Sequence, residues 1–162
     1  MYRFQYSVIT KAEPALCWDI FSDCSRWNSF ANVYGKIDWI EGPPWHAGSR
    51  LEIEILQPFR TRIEHVITSC IPARRVGWID HAMGAALAQW VTFEAMSKGG
   101  TRVHTWGDLV HAGRPIADGK SAEELITEFT KAWYENFRIV CDQVAMGNVL
   151  EANSPLVFPS DC

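Results

Sequence analysis

The sequence predicts an α+β fold in which a curved antiparallel sheet of about seven strands surrounds a long C-terminal helix, and three observations support it. Residues 121–145 are apolar at helical spacing on more than one side. The roughly one hundred residues before them have almost entirely strand-like patterns. A helix that is apolar on several sides needs cover from several directions, and a sheet that bends around it provides that cover.

The N-terminal part of the chain predicts one strand followed by two short helices. Tyr2–Ile9 alternates apolar and polar side chains, as a strand with one solvated face does. Pro14 suits a first helical turn, and apolar residues follow at helical spacing as far as Phe21. A second short helical segment carries Trp27 and Phe30.

About six further strands follow, and glycine or proline residues lie between most of them. Before the last strand, Ser97-Lys98-Gly99-Gly100 provides paired glycines, which adopt the positive φ of a tight hairpin. The predicted strands are residues 33–41, 50–56, 61–69, 76–80, 87–95 and 101–110.

The C-terminal helix begins with a capping-box pattern at Ser121 and Glu124, just after Gly119. If about six large side chains of this helix are buried at roughly 1.5–3 kcal/mol each, they match the whole net stability of a typical domain, about 5–15 kcal/mol. We therefore expect a chain that ends at Gly119 not to fold. The predicted apolar faces carry Leu125, Ile126, Phe129, Ala132, Trp133, Phe137, Val140, Cys141 and Val144.

Length and composition favour one domain, residues 1–146, followed by a tail at residues 147–162. The chain has 162 residues, of which 48% are hydrophobic.

A net charge of −4 without a run of Lys or Arg argues against a nucleic-acid partner. No apolar run approaches the roughly 20 residues that span a bilayer, so we expect no stable membrane insertion and a cytoplasmic location. The sequence leaves the oligomeric state open.

The distribution of cysteines and histidines predicts no metal and no cofactor. The five cysteines contain no C-x-x-C pair, so neither a disulfide framework nor a zinc site is indicated. His104 and Asp108 share a strand face, but His111 has the opposite phase. The chain also lacks the Gly-x-Ser-x-Gly, His-Glu-x-x-His, P-loop and Gly-x-Gly-x-x-Gly motifs.

Four segments of the chain together resemble the helix-grip superfamily of START-related lipid-transport and polyketide cyclase/dehydrase proteins, also called SRPBCC. They are EPALCWDIFSD (residues 13–23) with Trp27, PARRVGW (72–78), WVTFEAMSKGGTRV (90–103) and the closing helix. The resemblance covers nearly all of residues 1–146 and implies a cavity between sheet and helix. Since members range from carriers to cyclases, it does not assign a function.

Two polar residues are predicted to point toward the helix. His65 shares a strand face with Ile63 and Ile67. It is interpreted as a neutral core histidine, as a contact that orients a ligand, or as a catalytic group that transfers a proton. Gln89 is either satisfied locally or presented to a ligand. Asp80-His81 lies at the end of a strand, where loops usually rim a pocket, and it is interpreted as an exposed turn in preference to a position on the pocket rim.

Several aromatic residues from different elements are expected to converge on one interior volume. Such a volume either holds a planar hydrophobic ligand or is filled by the protein's own side chains, of which eight are tryptophan. The predicted ligand-binding residues are Trp27, Phe30, Trp39, Ile53, His65, Trp78, Gln89, Phe93, Phe129 and Trp133.

Three functions are compatible with these patterns. The first is a binding protein for a small hydrophobic molecule, which needs no catalytic group. The second is a cyclase or dehydratase of the polyketide type with His65 as its acid or base, which needs a partner for that histidine. The third is a protein-interaction module of the co-chaperone type, which would use an exposed face.

Overall fold

A seven-stranded antiparallel sheet and three helices make up the described part of the chain, residues 1–82, 85–110 and 119–150 of the computed structural model. The strands are β1 (Tyr2–Thr10), β2 (Tyr34–Glu41), β3 (Arg50–Ile55), β4 (Thr61–Ile71), β5 (Arg75–Ala82), β6 (Ala85–Ala95) and β7 (Thr101–Val110). The helices are α1 (Pro14–Ser22), a 3₁₀ helix (Cys24–Ser29) and α2 (Ala122–Leu150).

The strands are ordered β1-β7-β6-β5-β4-β3-β2, and every neighbouring pair is antiparallel. Side-chain burial alternates along β7 from Thr101 to Leu109, so one face of the sheet is internal. The predicted α+β class, with short helices after the first strand and a long C-terminal helix, is confirmed.

The capping box predicted for α2 is present. The backbone N–H of Glu124 donates to Ser121 Oγ at 3.2 Å, and the backbone N–H of Ser121 donates to Glu124 Oε1 at 3.5 Å. The helix runs to Leu150, past residue 147, where the tail is predicted to begin. The division into a domain and a tail stays a prediction, and residues 151–162, with Cys162, lie outside the described residues.

The C-terminal half of α2 packs directly against the protein interior. Phe137 and Cys141 are fully buried there, and Val144 is nearly so. Asp142 fixes this half to the end of β1, because its Oδ1 accepts from Thr10 Oγ1 at 2.6 Å and from the backbone N–H of Lys11 at 2.8 Å. The helix is therefore held at this end, and the space described below lies under its other half.

The turn between β6 and β7 matches its prediction from paired glycines. Gly99 and Gly100 have φ values of 91° and 82°, which side-chain-bearing residues rarely adopt. A Cβ atom at Gly100 would also clash with the carbonyl oxygen of Thr10. The turn lies beside the end of β1, and Glu13 Oε1, just before α1, accepts from the backbone N–H of Gly100 at 3.0 Å.

Candidate ligand-binding cavity

A cavity of about 610 Å³ lies between the sheet and the N-terminal half of α2. Its volume falls within the range of about 300–1,000 Å³ that is typical of small-molecule sites. Most of its lining is apolar. The helix contributes Leu125, Ile126, Phe129, Trp133 and Tyr134, the sheet contributes Tyr34, Ile53, Ile55, Ile63, Trp78, Leu87 and Leu109, and Phe21, Trp27 and the 57–59 loop complete the apolar wall.

The position of the cavity follows from strand direction. In an antiparallel sheet, the end of one strand lies beside the start of the next, so the second half of β5 adjoins the first half of β6. Asp80 pairs with Leu87 and Trp78 pairs with Gln89 in this register. The inward side chains of this one end of the sheet line the cavity, whereas the other end is covered by α1 and the C-terminal half of α2.

The ten residues predicted from sequence to bind a ligand divide into two groups. Three of them, Phe30, Trp39 and Phe93, lie away from the cavity. The other seven line it: Trp27, Ile53, His65, Trp78, Gln89, Phe129 and Trp133. Their location in the cavity wall does not show that they bind a ligand, so ligand binding by these residues stays a prediction.

The three remaining aromatic residues pack against other rings. Phe30 is fully buried, and its ring centroid lies 4.7 Å from that of Trp133. Trp39 is half-buried, with its ring centroid 5.2 Å from that of Trp45. Phe93 lies at the far end of β6, 5.5 Å from Phe21. These rings fill interior volume, so part of the expected space is occupied by the protein itself.

His65 and Asp80 form the polar part of the cavity wall. They lie opposite each other on β4 and β5, next to the paired residues Val66 and Ile79. His65 Nδ1 is 3.0 Å from Asp80 Oδ2, and their side chains are 13% and 7% exposed. The two atoms are within ion-pair distance but lack hydrogen-bond alignment.

The interpretation of Asp80 as part of an exposed turn is wrong. β5 continues to Ala82, two residues beyond its predicted end, and this extension places Asp80 on the inner face of the sheet with 6% of its surface exposed. The side chain of His81 lies outside the described residues, as does His111.

Gln89 is tied to its own sheet. Its Nε2 donates to Thr105 Oγ1 at 2.9 Å, and Thr105 Oγ1 donates to the carbonyl oxygen of Trp90 at 2.9 Å. Thr105 is fully buried, so this chain of hydrogen bonds lies in the interior. This hydrogen bonding within the sheet matches one of the two alternatives predicted for Gln89, in which neighbouring protein groups satisfy its amide.

A buried hydrogen bond joins the helix to the second strand at the cavity. Trp133 Nε1 donates to the hydroxyl oxygen of Tyr34 at 2.9 Å. Burial raises the pKa of Tyr34 and also that of Tyr134, and both residues line the cavity. Both phenols therefore stay neutral over the physiological pH range.

The indole nitrogen of Trp78 has no hydrogen-bond partner among the described residues, although the side chain is buried. Its ring stacks on that of His65, with centroids 5.0 Å apart and planes at 24°. A buried N–H without an acceptor is destabilising, and this one is buried from the cavity as well, although the indole ring lines it.

Apart from its two tyrosines, the ionisable side chains of the described lining are His65, Asp80 and Glu128, and this lining contains no Lys or Arg. Glu128 accepts a hydrogen bond from Lys120 Nζ at 2.7 Å. The lining therefore supplies acidic groups and no fixed positive charge.

Sequence reasoning missed several lining residues. Phe21 lies in the first predicted helix and Tyr34 in the strand predicted at residues 33–41, but neither was predicted to line the cavity, and Asp80 was interpreted as part of a turn at the predicted end of β5. A detectable signal existed for Asp80, because it lies two residues after Trp78 and therefore on the same strand face. The loop residues Pro58 and Phe59 carried no comparable periodic signal.

Other polar clusters are accounted for by local partners. His104 contacts Ser7 Oγ, and Asp108 pairs with Arg3 at 2.7 Å. Within residues 1–82, 85–110 and 119–150, no group of three or more His, Cys, Asp or Glu side chains is placed to hold a metal ion. The same residues include no helix with the length and apolar character needed to cross a membrane.

Solved structures with the same architecture include three distant neighbours. Ara h 8.0201 has a TM-score of 0.69 at 12% identity, covering 90% of this chain and 98% of its own. The hypothetical protein jhp0584 from Helicobacter pylori has a TM-score of 0.69 at 14% identity, covering 86% and 88%. The protein of unknown function SA2116 from Staphylococcus aureus has 0.68 at 14%, covering 90% and 96%.

This chain has a helix-grip fold. The neighbours support the helix-grip architecture that the sequence resemblance implies. No family model matches the sequence, and no curated protein matches it. At these identities the helix-grip likeness concerns the fold alone.

Proposed function

We propose that this helix-grip protein binds a small, largely apolar molecule in the cavity beneath α2. The observation that carries the proposal is an apolar space of about 610 Å³ whose wall combines aromatic rings with a few polar groups.

Four cysteines among the described residues are free thiols, in keeping with the proposed cytoplasmic location.

The free energy of binding in such a cavity comes from apolar surface. A two-ring aromatic molecule that buries about 300 Å² gains roughly 7 kcal/mol at 25 cal/mol per Å², before the cost of lost motion is subtracted. Since about 8 kcal/mol corresponds to 1 μM, this gain is an upper limit, and simple aromatic probes are expected to bind with dissociation constants of about 10 μM or weaker.

Fluorescence titration with the neutral probe N-phenyl-1-naphthylamine tests the proposal, with native mass spectrometry of freshly purified protein to detect a copurified ligand. Ile63→Trp adds bulk inside the cavity and is expected to weaken probe binding about tenfold. The matched control is Ile79→Trp, at a residue that is 40% exposed and points away from the cavity.

Two results would contradict binding in this cavity. One is an unbound protein mass together with no probe fluorescence change. The other is probe binding that Ile63→Trp and Ile79→Trp alter equally.

A second candidate is catalysis of proton transfer on a ligand held in the same cavity. His65 needs a partner for this role, and the 3.0 Å distance between His65 Nδ1 and Asp80 Oδ2 favours Asp80 as that partner. The carboxylate lies beside one ring nitrogen of His65, which leaves the other nitrogen to exchange a proton with a ligand. The reaction would be a cyclisation or dehydration of a carbonyl compound.

The variants His65→Gln and Asp80→Asn separate binding from catalysis. If the cavity only binds, both variants keep probe affinity and no turnover of carbonyl compounds is found with the wild type. If it is catalytic, each variant lowers kcat about a hundredfold or more while probe affinity changes little. Activity that survives His65→Gln intact would contradict the catalytic assignment.

A further inference from the structure

We infer that the ligand of this cavity carries a hydroxyl group that donates a hydrogen bond to the carboxylate of Asp80, beside His65. This inference rests on the proposed function, because it names the polar group of the ligand in the same cavity. It starts from acceptor atoms of the cavity wall to which no described residue donates.

The carboxylate of Asp80 is the first of these acceptors. Its side chain is 7% exposed and lines the cavity. Among the described residues, the side-chain polar atoms that are fully buried without a partner are both nitrogens, one of His65 and one of Trp78. The oxygens of Asp80 receive no hydrogen bond from a described residue either, but they are not fully buried. They therefore keep accessible surface, and the space that Asp80 lines is the cavity.

His65 does not satisfy this carboxylate. Its Nδ1 lies 3.0 Å from Asp80 Oδ2 but is not aligned for a hydrogen bond. The other ring nitrogen, Nε2, has no partner among the described residues and is not fully buried, so it is also left for a ligand. This nitrogen accepts or donates a hydrogen bond according to the protonation of the ring.

A hydroxyl group fits Asp80 and His65 together in each protonation state of the imidazole. It donates to Asp80 in every state, and it can also accept from His65 Nε2 when that nitrogen carries a proton. A carbonyl or ether oxygen cannot donate, so it leaves Asp80 without a partner. An ammonium group donates to Asp80 but meets a like charge when the imidazole is protonated.

Gln89 provides a second acceptor on the neighbouring strand. Its Nε2 donates to Thr105 Oγ1 at 2.9 Å, whereas its Oε1 receives no hydrogen bond from a described residue and is not fully buried. In the register of β5 with β6, Gln89 is the diagonal neighbour of Asp80, at about 7–8 Å. The acceptors thus lie at one end of the inner face, while apolar side chains form most of the remaining wall. The ligand class that fits is a phenol or an alcohol on an apolar ring skeleton.

Two neutral probes of one skeleton test the inference by equilibrium dialysis at pH 7. They are 2-naphthol, which can donate a hydrogen bond, and 2-methoxynaphthalene, in which a methyl group blocks donation. The extra methyl group favours the ether about fourfold, whereas a hydrogen bond to a carboxylate favours the naphthol by more than about tenfold. The wild type is therefore expected to bind the naphthol about threefold more tightly than the ether, or better.

Two variants assign the hydrogen bond to Asp80. Asp80→Leu keeps a side chain of similar size without an acceptor, and it is expected to lower the ratio of naphthol to ether affinity about tenfold. The matched control is Asp38→Leu on β2, at an aspartate whose side chain is 47% exposed and pairs with Lys36 away from the cavity. This control is expected to leave the ratio unchanged.

The outcomes distinguish this inference from the proposed function. If neither probe binds, the proposed function fails. If both probes bind but the wild type prefers the ether, the cavity binds ligands and the inference fails, and this result requires no variant. The inference also fails if Asp80→Leu melts like the wild type and leaves the ratio unchanged, or if Asp38→Leu lowers the ratio as much as Asp80→Leu does.

Discussion

The hydrogen bond between Trp133 and Tyr34 is expected to hold α2 over the cavity, and a double-mutant cycle tests it. The perturbation combines Trp133→Phe with Tyr34→Phe. Each single change leaves the other polar group without its partner in the interior, whereas the double change removes both groups. The cycle therefore isolates their interaction.

The expected magnitude follows from burial at both ends. Trp133 is 5% exposed and Tyr34 is 9% exposed, so neither group regains full hydration when its partner is removed. An unsatisfied buried donor or acceptor costs about 1–3 kcal/mol. We expect Tyr34→Phe to lower the free energy of unfolding by about 1–2 kcal/mol. Trp133→Phe should cost more, because it also removes ring contacts with Phe30 and Phe21.

Urea unfolding, analysed with one m-value, measures the free energy of unfolding of the wild type, the two single variants and the double variant. The double variant is expected to be more stable than the sum of the single effects by about 1 kcal/mol. Tyr6→Phe, which removes a phenol hydroxyl from β1, serves as the control and should combine additively with Trp133→Phe. Additivity within about 0.3 kcal/mol for Tyr34 and Trp133 would refute the reasoning, because it would mean that the hydrogen bond contributes nothing beyond ring packing.

Two further predictions concern the attachment of α2 and the outer face of the sheet. Asp142→Ala is expected to lower the free energy of unfolding, measured in urea, by about 2–3 kcal/mol, because it leaves buried Thr10 without its acceptor. The control Glu135→Ala should change this free energy by less than about 1 kcal/mol. Equal effects of the two variants would contradict the prediction. The hydrogen bond from Arg50 holds the pKa of Glu64 below its usual range, so the pair stabilises the fold above the usual glutamate pKa and this contribution is lost as pH falls through the lowered value. Glu64→Gln should therefore flatten the loss of thermal stability below about pH 4, and an unchanged slope would contradict the assignment.

The fold could be predicted because its periodic signals are strong and local. The alternation of β1 and β7, the paired glycines before β7, and the capping box of α2 each depend on a few adjacent residues. The ends of elements were less accurate where polar residues lie inside a strand. β5 was predicted to end at Asp80 because an acidic residue followed by histidine is typical of a solvated turn. In the structure, Ile79 and His81 on either side of Asp80 both pair with residues of β6, so the strand continues.

The cavity could be predicted only in part, because strand alternation identifies the inner face but not the position along it. Phe93 and Gln89 lie on the same face of β6, yet only Gln89 reaches the cavity. The difference depends on α1, since Trp18 and Phe21 cover Phe93 at ring distances of 5.8 and 5.5 Å. Contacts between elements distant in sequence decide this, and no local pattern records them.

Three side chains with polar groups, on β4 and β5, restrict the function of the cavity in the same direction. A carboxylate, an imidazole and an unpaired indole N–H are costly in an apolar wall, and leucine or phenylalanine at these positions would make a more stable core. His65, Trp78 and Asp80 are adjacent on β4 and β5, so a single ligand atom near Trp78 also lies near the histidine and carboxylate. A carbonyl group bound there would lie beside the pair of His65 and Asp80, whether the molecule is then released unchanged or converted. The identity of the ligand's polar group is therefore the measurement that both proposed functions require first.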